Sequence, residues 1–218
     1  GVMTAETLDE AIAIVNEVEY GLTSGLHSLD EAEITQWLAT IQAGNLYVNR
    51  GITGAIVQRQ PFGGWKKSVV GAGWKAGGPN YLVGLTNWAD EPPKSLGDAT
   101  KSLADATTAA ALAAAREAGA SEDDLSWLQA ALATDVAAWD EEFGVVRDVS
   151  GLVREQNALR YQAVPVTVRN GSERAVDLLR VAAAGIRTGA RLTVSAASWA
   201  PGMEAYLRSA GVTCGRMI

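Results

Sequence analysis

The chain has 218 residues, a formal net charge of −7 and a hydrophobic content of 48%, which suit one large or two small globular domains. One cysteine and one histidine exclude an internal disulfide and a closed structural zinc site, which needs about four ligands. The acidic balance and the scattered Lys and Arg side chains argue against nucleic acid, and no apolar stretch approaches the ~20 residues of a bilayer crossing. We therefore expect a soluble, cytoplasmic chain that engages neither nucleic acid nor a membrane.

The N-terminal segment predicts a helix. Apolar side chains recur over residues 7–18 at the i, i+3, i+4, i+7 spacing of a helix with one buried face. Thr7 and Glu10 stand three residues apart, so each side chain is placed to satisfy the other's free backbone N–H in a capping box. A short strand is predicted to follow at residues 25–27.

A second helix and a buried strand are predicted next. Ser28 and Glu31 repeat the capping-box spacing ahead of the apolar positions within residues 34–41. Gly44 stands where a helix often ends on a left-handed residue. Residues 45–49 (NLYVN) then have the composition of a buried strand.

Residues 51–80 predict a functional loop. They hold eight glycines, which weaken regular elements and admit positive φ or the close approach of a ligand. Free backbone N–H groups around Gly54 and Ala55 would suit a carboxylate, and Phe62 is placed to pack on an aliphatic stem. An interface loop, in which the glycines only permit tight turns, explains the same spacing. Residues 81–88 close the segment as a predicted strand.

Helical patterns follow the loop. Residues 90–95 predict a linker, and residues 104–118 consist almost wholly of helix formers before Gly119, which suits a helix end. Ser121 and Asp124 predict the start of a further helix with one apolar stripe.

The C-terminal part predicts a small parallel α/β unit. Strand-like segments at residues 164–168, at 191–194 and from Val212 onward alternate with two helical patterns, one capped by Ser172 and one over 201–210. This alternation is typical of a parallel sheet with right-handed helical crossovers.

Few residues outside the loop suggest chemistry. His27 lies in a short strand with no nucleophile near it in sequence, and Cys214 lies in a predicted buried strand, where a free cysteine behaves as a small hydrophobe. Residues 170–172 (NGS), at a strand-to-helix turn, suit a plain helix cap or an anion, but they lack the glycine spacing of a dinucleotide fingerprint. The adjacent carboxylates at 123–124 and 141–142 are typical of solvated helix faces.

Several motifs resemble the C-terminal portion of the aldehyde dehydrogenase superfamily. In the superfamily's order and spacing, they are residues 20–25 (YGLTSG), 44–50 (GNLYVNR) and 60–64 (QPFGG). Residues 53–55 (TGA) and 75–79 (KAGGP) resemble the branch that oxidises L-glutamate γ-semialdehyde, the 1-pyrroline-5-carboxylate dehydrogenases. From about residue 160 onward, the pattern is similar, more loosely, to the extra C-terminal domain of long bifunctional proline-utilisation proteins.

The resemblance implies an α/β fold in three parts. Residues 1–89 would be the C-terminal part of an aldehyde dehydrogenase catalytic domain, residues 90–159 a linker and helical region, and residues 160–218 a truncated, Rossmann-like accessory α/β domain. The strand at 81–88 would join a partner's sheet, which implies a homo-oligomer such as a dimer. Both ends of the chain fall inside predicted strands, so we expect a piece of a longer protein.

The implied reaction is the NAD-dependent oxidation of L-glutamate γ-semialdehyde to L-glutamate, the last step of proline catabolism. Gly54 and Ala55 match the family residues whose main-chain N–H groups hold the substrate α-carboxylate, and Phe62 matches the aromatic that packs on its carbon chain. The family's catalytic cysteine, its activating glutamate and its NAD domain lie upstream of the matching segment. We therefore expect no catalytic residue, no bound NAD and no activity in this chain alone.

Two other functions are compatible with the same sequence. One is a non-catalytic oligomerisation and lid module, which dimerises through residues 81–88 and covers a partner's active site. The other is an independent anion-binding α/β domain that uses residues 170–172.

Overall fold

The computed structural model describes residues 1–57, 59–71, 73–87, 89 and 105–216, so the predicted linker at 90–95 lies outside the described residues. The chain divides into two compact units, of which unit 1 comprises residues 1–89 and 147–159 and unit 2 comprises residues 90–146 and 160–218. Residues 90–159 are predicted to form one linker and helical region, whereas residues 147–159 belong to unit 1 in the structure.

Short strands and two helices make up the described part of unit 1. In chain order, the elements are α1 (Leu8–Glu17), β1 (Tyr20–Gly21), β2 (Thr23–Leu26), α2 (Glu31–Thr40), β3 (Asn45–Val48), β4 (Trp65–Lys66) and a 3₁₀ helix (Tyr81–Leu85). Strand β1 pairs antiparallel with β4, and β2 pairs parallel with β3, so that Thr23 lies opposite Asn45. Ile12 of α1 packs in a small core with Trp37 and Ile41, and Leu26 and Val48 of the parallel strands pack against it.

The cap of α1 is confirmed in part. Thr7 Oγ1 accepts a hydrogen bond from the Glu10 N–H at 3.2 Å, as the capping-box spacing predicts. The reciprocal bond of the capping box, from the Thr7 N–H to the Glu10 carboxylate, is replaced by another. Glu10 Oε2 accepts from the Glu6 N–H at 2.7 Å instead.

The predicted cap of α2 is wrong by two residues. Asp30, which directly precedes the helix, accepts from the Ala32 N–H at 2.8 Å. Ser28 lies two residues before Asp30. Its hydroxyl accepts from the Asp30 N–H at 3.0 Å and donates to the Glu33 carboxylate at 2.6 Å. The carboxylate therefore takes the position nearest the free N–H groups, where negative charge is most stabilising.

Gly44 is not the left-handed helix end that its position predicts. Helix α2 ends at Thr40, and Gly44 is absent from the positive-φ glycines of the described residues. A Cβ at Gly44 would lie 1.9 Å from the Gly63 carbonyl oxygen and 2.8 Å from Gly64. The absence of a side chain therefore serves the close approach of two backbone segments, which brings the loop after β3 onto the start of that strand.

Residues 81–85 form a 3₁₀ helix, so the strand predicted for this segment is wrong here. The Val83 N–H donates to the Asn80 carbonyl at 3.2 Å, a local bond of the 3₁₀ type. A strand needs a neighbouring strand for its hydrogen bonds, and the described part of the chain pairs none with this segment. Trp88, in the same predicted strand, lies outside the described residues.

Unit 2 contains a parallel sheet and the helices that cover it. Its described elements are α3 (Ala106–Glu117), α4 (Glu122–Ala138), a π-helical turn (Trp139–Phe143), β5 (Val166–Asn170), α5 (Ala175–Arg187), β6 (Leu192–Ala196), α6 (Met203–Ser209) and β7 (Thr213–Arg216). The strand order is β5-β6-β7 and both pairings are parallel, which confirms the predicted alternation of strand and helix. The helix end at Gly119 (φ +79°) and the cap at Ser121 are also confirmed.

The core of unit 2 joins its four described α-helices to the sheet. Its central side chains are fully buried and come from five different elements, namely Ala111 of α3, Leu128 of α4, Leu179 of α5, Val194 of β6 and Leu207 of α6. Alanines on α3 and α5 keep the two helices close together. No described helix combines the length and the apolar character that a membrane crossing requires.

Asp105 ties the start of α3 to the end of α5. Its carboxylate accepts from the Thr108 N–H at 2.7 Å and from both terminal nitrogens of Arg187 at 3.0 and 2.7 Å. The Arg187 side chain is only 8% exposed, so the carboxylate neutralises a buried guanidinium. The hydrogen bonds from Arg187 are the main reason that the pKa of Asp105 falls from 3.8 to about 2.

Removal of the Asp105 carboxylate is expected to destabilise unit 2. Asp105→Ala leaves the Arg187 guanidinium buried without its partner, which costs about 3 kcal/mol. The folded pKa lies below the unfolded value, so this stabilisation is present above about pH 4 and is lost as the pH falls towards 2. Urea unfolding at neutral and acid pH measures both effects.

Asp123→Ala, in the exposed first turn of α4, is the matched control for charge. We expect it to change the free energy of unfolding by less than about 0.5 kcal/mol at either pH. Equal losses in the two variants at neutral pH would contradict the role given to Asp105.

Gly44 and Gly51 offer a second matched pair. Gly44→Ala forces the loop at 63–64 away from β3 and is expected to lower the stability of unit 1 by about 3 kcal/mol. Gly51→Ala meets nothing within 4 Å and is expected to change stability by less than about 1 kcal/mol. Urea unfolding followed at the amide signals of β3 distinguishes the two variants. A loss of stability in Gly44→Ala as small as that in Gly51→Ala would show that the close approach is dispensable.

Candidate functional site

Gly54 and Ala55 lie in the loop between β3 and β4 and present free backbone donors. Gly54 has φ +84°, a conformation that favours glycine. A Cβ added at this position would have no other heavy atom within 4 Å. Within the described residues, no acceptor is hydrogen-bonded to the N–H of Gly54 or Ala55. Adjacent N–H groups without intramolecular partners, in open space, suit the oxygens of an anion.

Phe62 is held by its backbone while its ring stays partly exposed. The Phe62 N–H donates to the Ala76 carbonyl at 3.0 Å, and the Ala76 N–H donates back at 2.8 Å. The Phe62 side chain is 36% exposed, which leaves apolar surface for a ligand's carbon chain. No hydrogen bond joins Phe62 to Gly54 or Ala55 in the described residues. The position of Phe62 is instead set by a framework of hydrogen bonds from other side chains.

Asn45 supplies one part of that framework. The side chain of this buried residue donates to the Pro61 carbonyl at 3.0 Å and accepts from the Gly63 N–H at 3.1 Å. These two bonds fix the backbone on either side of Phe62, because Pro61 and Gly63 are its chain neighbours. A side chain at the start of β3 thereby sets the position of the aromatic ring.

Lys75 supplies the other part. Its Nζ donates to the Gly63 carbonyl at 2.8 Å, to Asn45 Oδ1 at 3.3 Å and to the Gly44 carbonyl. All three donors of the ammonium group therefore have acceptors, at the point where Gly44 and Gly63 meet. Burial lowers the pKa of Lys75 from 10.5 to about 8.

Sequence reasoning alone did not find the roles of Asn45 and Lys75. Both residues lie inside motifs that the family resemblance uses, at 44–50 and 75–79, but neither position shows by its spacing that it bonds to the loop at 61–63. The available signal was chemical, since Lys75 is the one cation among the small residues of its motif.

The other chemical candidates lie apart from this loop. His27 follows β2 and is exposed. Cys214 is buried in β7, and burial raises the pKa of its thiol, which disfavours the nucleophilic thiolate. The described residues gather no group of three or more His, Cys, Asp or Glu side chains suited to a metal ion.

Residues 170–172 form a local turn rather than an open cradle. The prediction that Ser172 caps α5 is wrong, because Arg174 is the N-cap and its side chain makes no capping bond. The Ser172 N–H donates to Asn170 Oδ1 at 3.2 Å, and the Ser172 hydroxyl donates to Asp177 at 2.7 Å. Arg174, at the start of α5, forms ion pairs with Asp124 and Asp177 at 2.6 and 3.1 Å. The polar groups of this turn thus bond to one another, and two carboxylates lie beside it.

Comparison with known proteins places this loop in a family. Residues 1–89 match the aldehyde dehydrogenase family. The chain is 51% identical over 79 residues to a 1-pyrroline-5-carboxylate dehydrogenase of Bacillus cytotoxicus, which covers 36% of this chain and 15% of that relative. It is also 34% identical over 224 residues to the bifunctional protein PutA of Rhizobium meliloti, which covers 96% of this chain and 16% of that relative.

A solved structure extends the likeness to both units. Proline utilization A (PutA) from Corynebacterium freiburgense aligns with 98% of this chain and 22% of its own length, with 36% identity and a TM-score of 0.62. The chain spans about one sixth of the length of the curated relatives that it matches. The chain therefore carries an aldehyde dehydrogenase family segment at residues 1–89, and its relatives include 1-pyrroline-5-carboxylate dehydrogenases and PutA proteins.

Proposed function

We propose that residues 1–89 supply the substrate-binding end of an NAD-dependent L-glutamate γ-semialdehyde dehydrogenase, which completes the catabolism of proline to glutamate. The names of the relatives support this reaction, and the free N–H groups of Gly54 and Ala55 are the observation that carries it. A γ-semialdehyde and its product share an α-carboxylate, which is the anion that such a pair of donors would hold.

The chain's own residues would bind and orient the substrate. The α-carboxylate would accept from the N–H groups of Gly54 and Ala55, and the aliphatic stem would pack on the exposed part of Phe62. Asn45 and Lys75 would hold Phe62 in place through the bonds to Pro61 and Gly63. Such positioning places the aldehyde carbon at a fixed distance from the anchored end.

The proposed reaction requires NAD as its hydride acceptor, and the turn at residues 170–172 does not fit this cofactor. A dinucleotide cradle needs free N–H groups at a glycine-rich turn, whereas residues 170–172 bond locally beside two carboxylates. We propose that the nucleophile and the NAD domain lie outside these 218 residues, since Cys214 is buried in unit 2. NAD-dependent turnover of the semialdehyde by the pure chain would contradict this proposal.

A role in assembly is a second proposal, favoured by the surface of the 3₁₀ helix. Leu82 and Leu85 are 66% and 78% exposed, which is unusual for large apolar side chains placed close together. We propose that residues 81–88 pair with a partner's sheet in a homo-oligomer, for which the 3₁₀ helix at residues 81–85 would exchange its local hydrogen bonds for those of that sheet. If assembly is the main function of the chain, this proposal becomes the alternative named above, a non-catalytic oligomerisation and lid module.

Binding of L-glutamate, the proposed product, tests the anchor. In a titration of the ¹⁵N-labelled chain, we expect the amide signals of Gly54 and Ala55 to shift with saturation in the millimolar range. 4-Aminobutanoate keeps the amine and the distal carboxylate but lacks the α-carboxylate, so it should leave both signals in place. Equal shifts with the two ligands would contradict the anchor.

The matched variants for this titration are Gly54→Ala and Gly71→Ala. Both glycines have positive φ (+84° and +74°) and open space, so the two substitutions introduce the same backbone strain. We expect only Gly54→Ala to weaken L-glutamate binding, by about fivefold, because it alone changes the anchoring donors.

The assembly proposal predicts a concentration-dependent dimer. Leu85→Ser should shift the chain to monomer, because it removes an apolar side chain from the pairing segment. Val70→Ser, which replaces a 98% exposed side chain of the same unit, should leave the mass unchanged. Light scattering coupled to size exclusion measures the mass, and a strict monomer at high concentration would overturn this proposal.

A further inference from the structure

One carboxylate, that of Glu155, lies against both ends of the segment that carries Gly54 and Ala55. Glu155 Oε1 accepts from Arg59 Nη2 at 2.8 Å, and Oε2 pairs with Arg50 Nη1 at 3.3 Å. Arg50 and Arg59 directly flank the eight residues at 51–58, which include both anchoring positions. The three side chains are each about one third exposed, so the pairs are only partly screened by water.

A neutral bond reinforces the ion pairs. Gln60 Nε2 donates to Asn157 Oδ1 at 2.9 Å and to Glu155 Oε1 at 3.3 Å. Gln60 is two residues before Phe62, so this contact lies between the anchoring segment and the aromatic ring. A side-chain hydrogen bond between Asn157 and Glu155, followed by that from Arg59, lowers the pKa of Glu155, so its carboxylate stays ionised to a lower pH than a free glutamate.

The segment that carries Glu155 is itself a closed loop within unit 1. Arg147 and Leu159 exchange two backbone hydrogen bonds of 2.9 and 2.7 Å, which join its ends. Inside the loop, Asp148 accepts from the Ser150 hydroxyl at 2.6 Å and from the Asn157 N–H at 2.9 Å. Residues 147–159 are therefore an Ω-type loop with its own internal bonds, which presents Glu155 and Asn157 in a fixed arrangement.

Arg50 is oriented independently of Glu155. Its guanidinium lies 5.3 Å from the centre of the Tyr47 ring, on the strand that precedes it. One side of the ion-pair cluster is thus attached to β3, and Glu155 draws Arg59 towards that side. Holding the ends of a loop together reduces the number of conformations open to the residues between them.

We propose that Glu155 is a positioning residue for substrate binding, which fixes the ends of the anchoring segment by holding Arg50 and Arg59 together. Residues 147–159 would then belong to the substrate site, although the helices of residues 106–138 stand between the two segments in the sequence. The substrate part of this proposal rests on the proposed function, whereas its effect on the loop does not.

Glu155→Gln in the full chain tests the proposal with two readouts. The variant keeps the size of the side chain but loses the charge that pairs with both arginines. We expect the ¹⁵N heteronuclear NOE of the Gly54 and Ala55 amides to fall, because the segment gains motion. We also expect L-glutamate to bind about fivefold more weakly, since partly exposed ion pairs have modest effects.

Glu17→Gln, at the exposed end of α1 in the same unit, is the control for the lost charge and should change neither readout. Arg59→Met should resemble Glu155→Gln, and the double variant should be no worse than either single one if the two side chains act through each other. Additive losses would overturn the proposal.

The two readouts also separate this proposal from the proposed function. Unchanged NOE values in Glu155→Gln would overturn the positioning role, whether or not the wild-type chain binds L-glutamate. Reduced NOE values in a chain whose wild type does not bind L-glutamate would uphold the positioning of the loop and contradict the proposed substrate. Unchanged or tighter L-glutamate binding with reduced NOE values would overturn the role of Glu155 in substrate binding.

Discussion

The close approach of Gly44 to Gly63 is the constraint on which the rest of unit 1 depends. A Cβ at Gly44 would stand 1.9 Å from the Gly63 carbonyl oxygen, so the contact exists only because that position lacks a side chain. Partly buried carbonyls at such a contact need donors, and the Lys75 ammonium supplies them to Gly44 and Gly63. Asn45 then fixes the backbone on either side of Phe62. A glycine-rich loop with little regular structure is thereby held on a strand.

The anchoring segment is held differently from the Phe62 loop. The loop around Phe62 is held by the neutral bonds of Asn45 and by one ammonium group, whereas the segment with Gly54 and Ala55 depends on ion pairs to Glu155. Partly exposed ion pairs are weak, so they restrain a loop without making it rigid. A binding loop that must admit and release a ligand is expected to come from the less stable part of a structure.

Local chemistry accounts for what the sequence alone could predict. The caps at Thr7 and Ser121 and the helix end at Gly119 depend on residues within a few positions of one another, and the structure confirms them. The parallel sheet of unit 2 follows from the same kind of local alternation. Asp30 replaced Ser28 as a cap because two suitable residues competed for the same turn.

The remaining differences are long-range. Gly44 serves a contact with Gly63, nineteen residues away, so its neighbours gave no sign of it. The strand predicted at 81–88 needs a partner for its hydrogen bonds, and the described chain forms a 3₁₀ helix there instead. Glu155 lies close to a hundred residues from Arg59, and nothing in its own surroundings indicates a contact with that loop. The loop composition alone indicates Gly54, Ala55 and Phe62 as candidates but leaves an interface loop equally open, because glycines that permit turns and glycines that admit ligands have the same spacing. Only the family resemblance favours the ligand.

The position of L-glutamate in a crystal of the 218-residue chain is the most direct measurement of the central claim that this loop holds a substrate α-carboxylate. We predict carboxylate oxygens about 2.9 Å from the backbone nitrogens of Gly54 and Ala55, with the carbon chain against the Phe62 ring. L-Glutamate bound to Arg50 or Arg59 instead, with the Gly54 and Ala55 N–H groups left unbound, would contradict it.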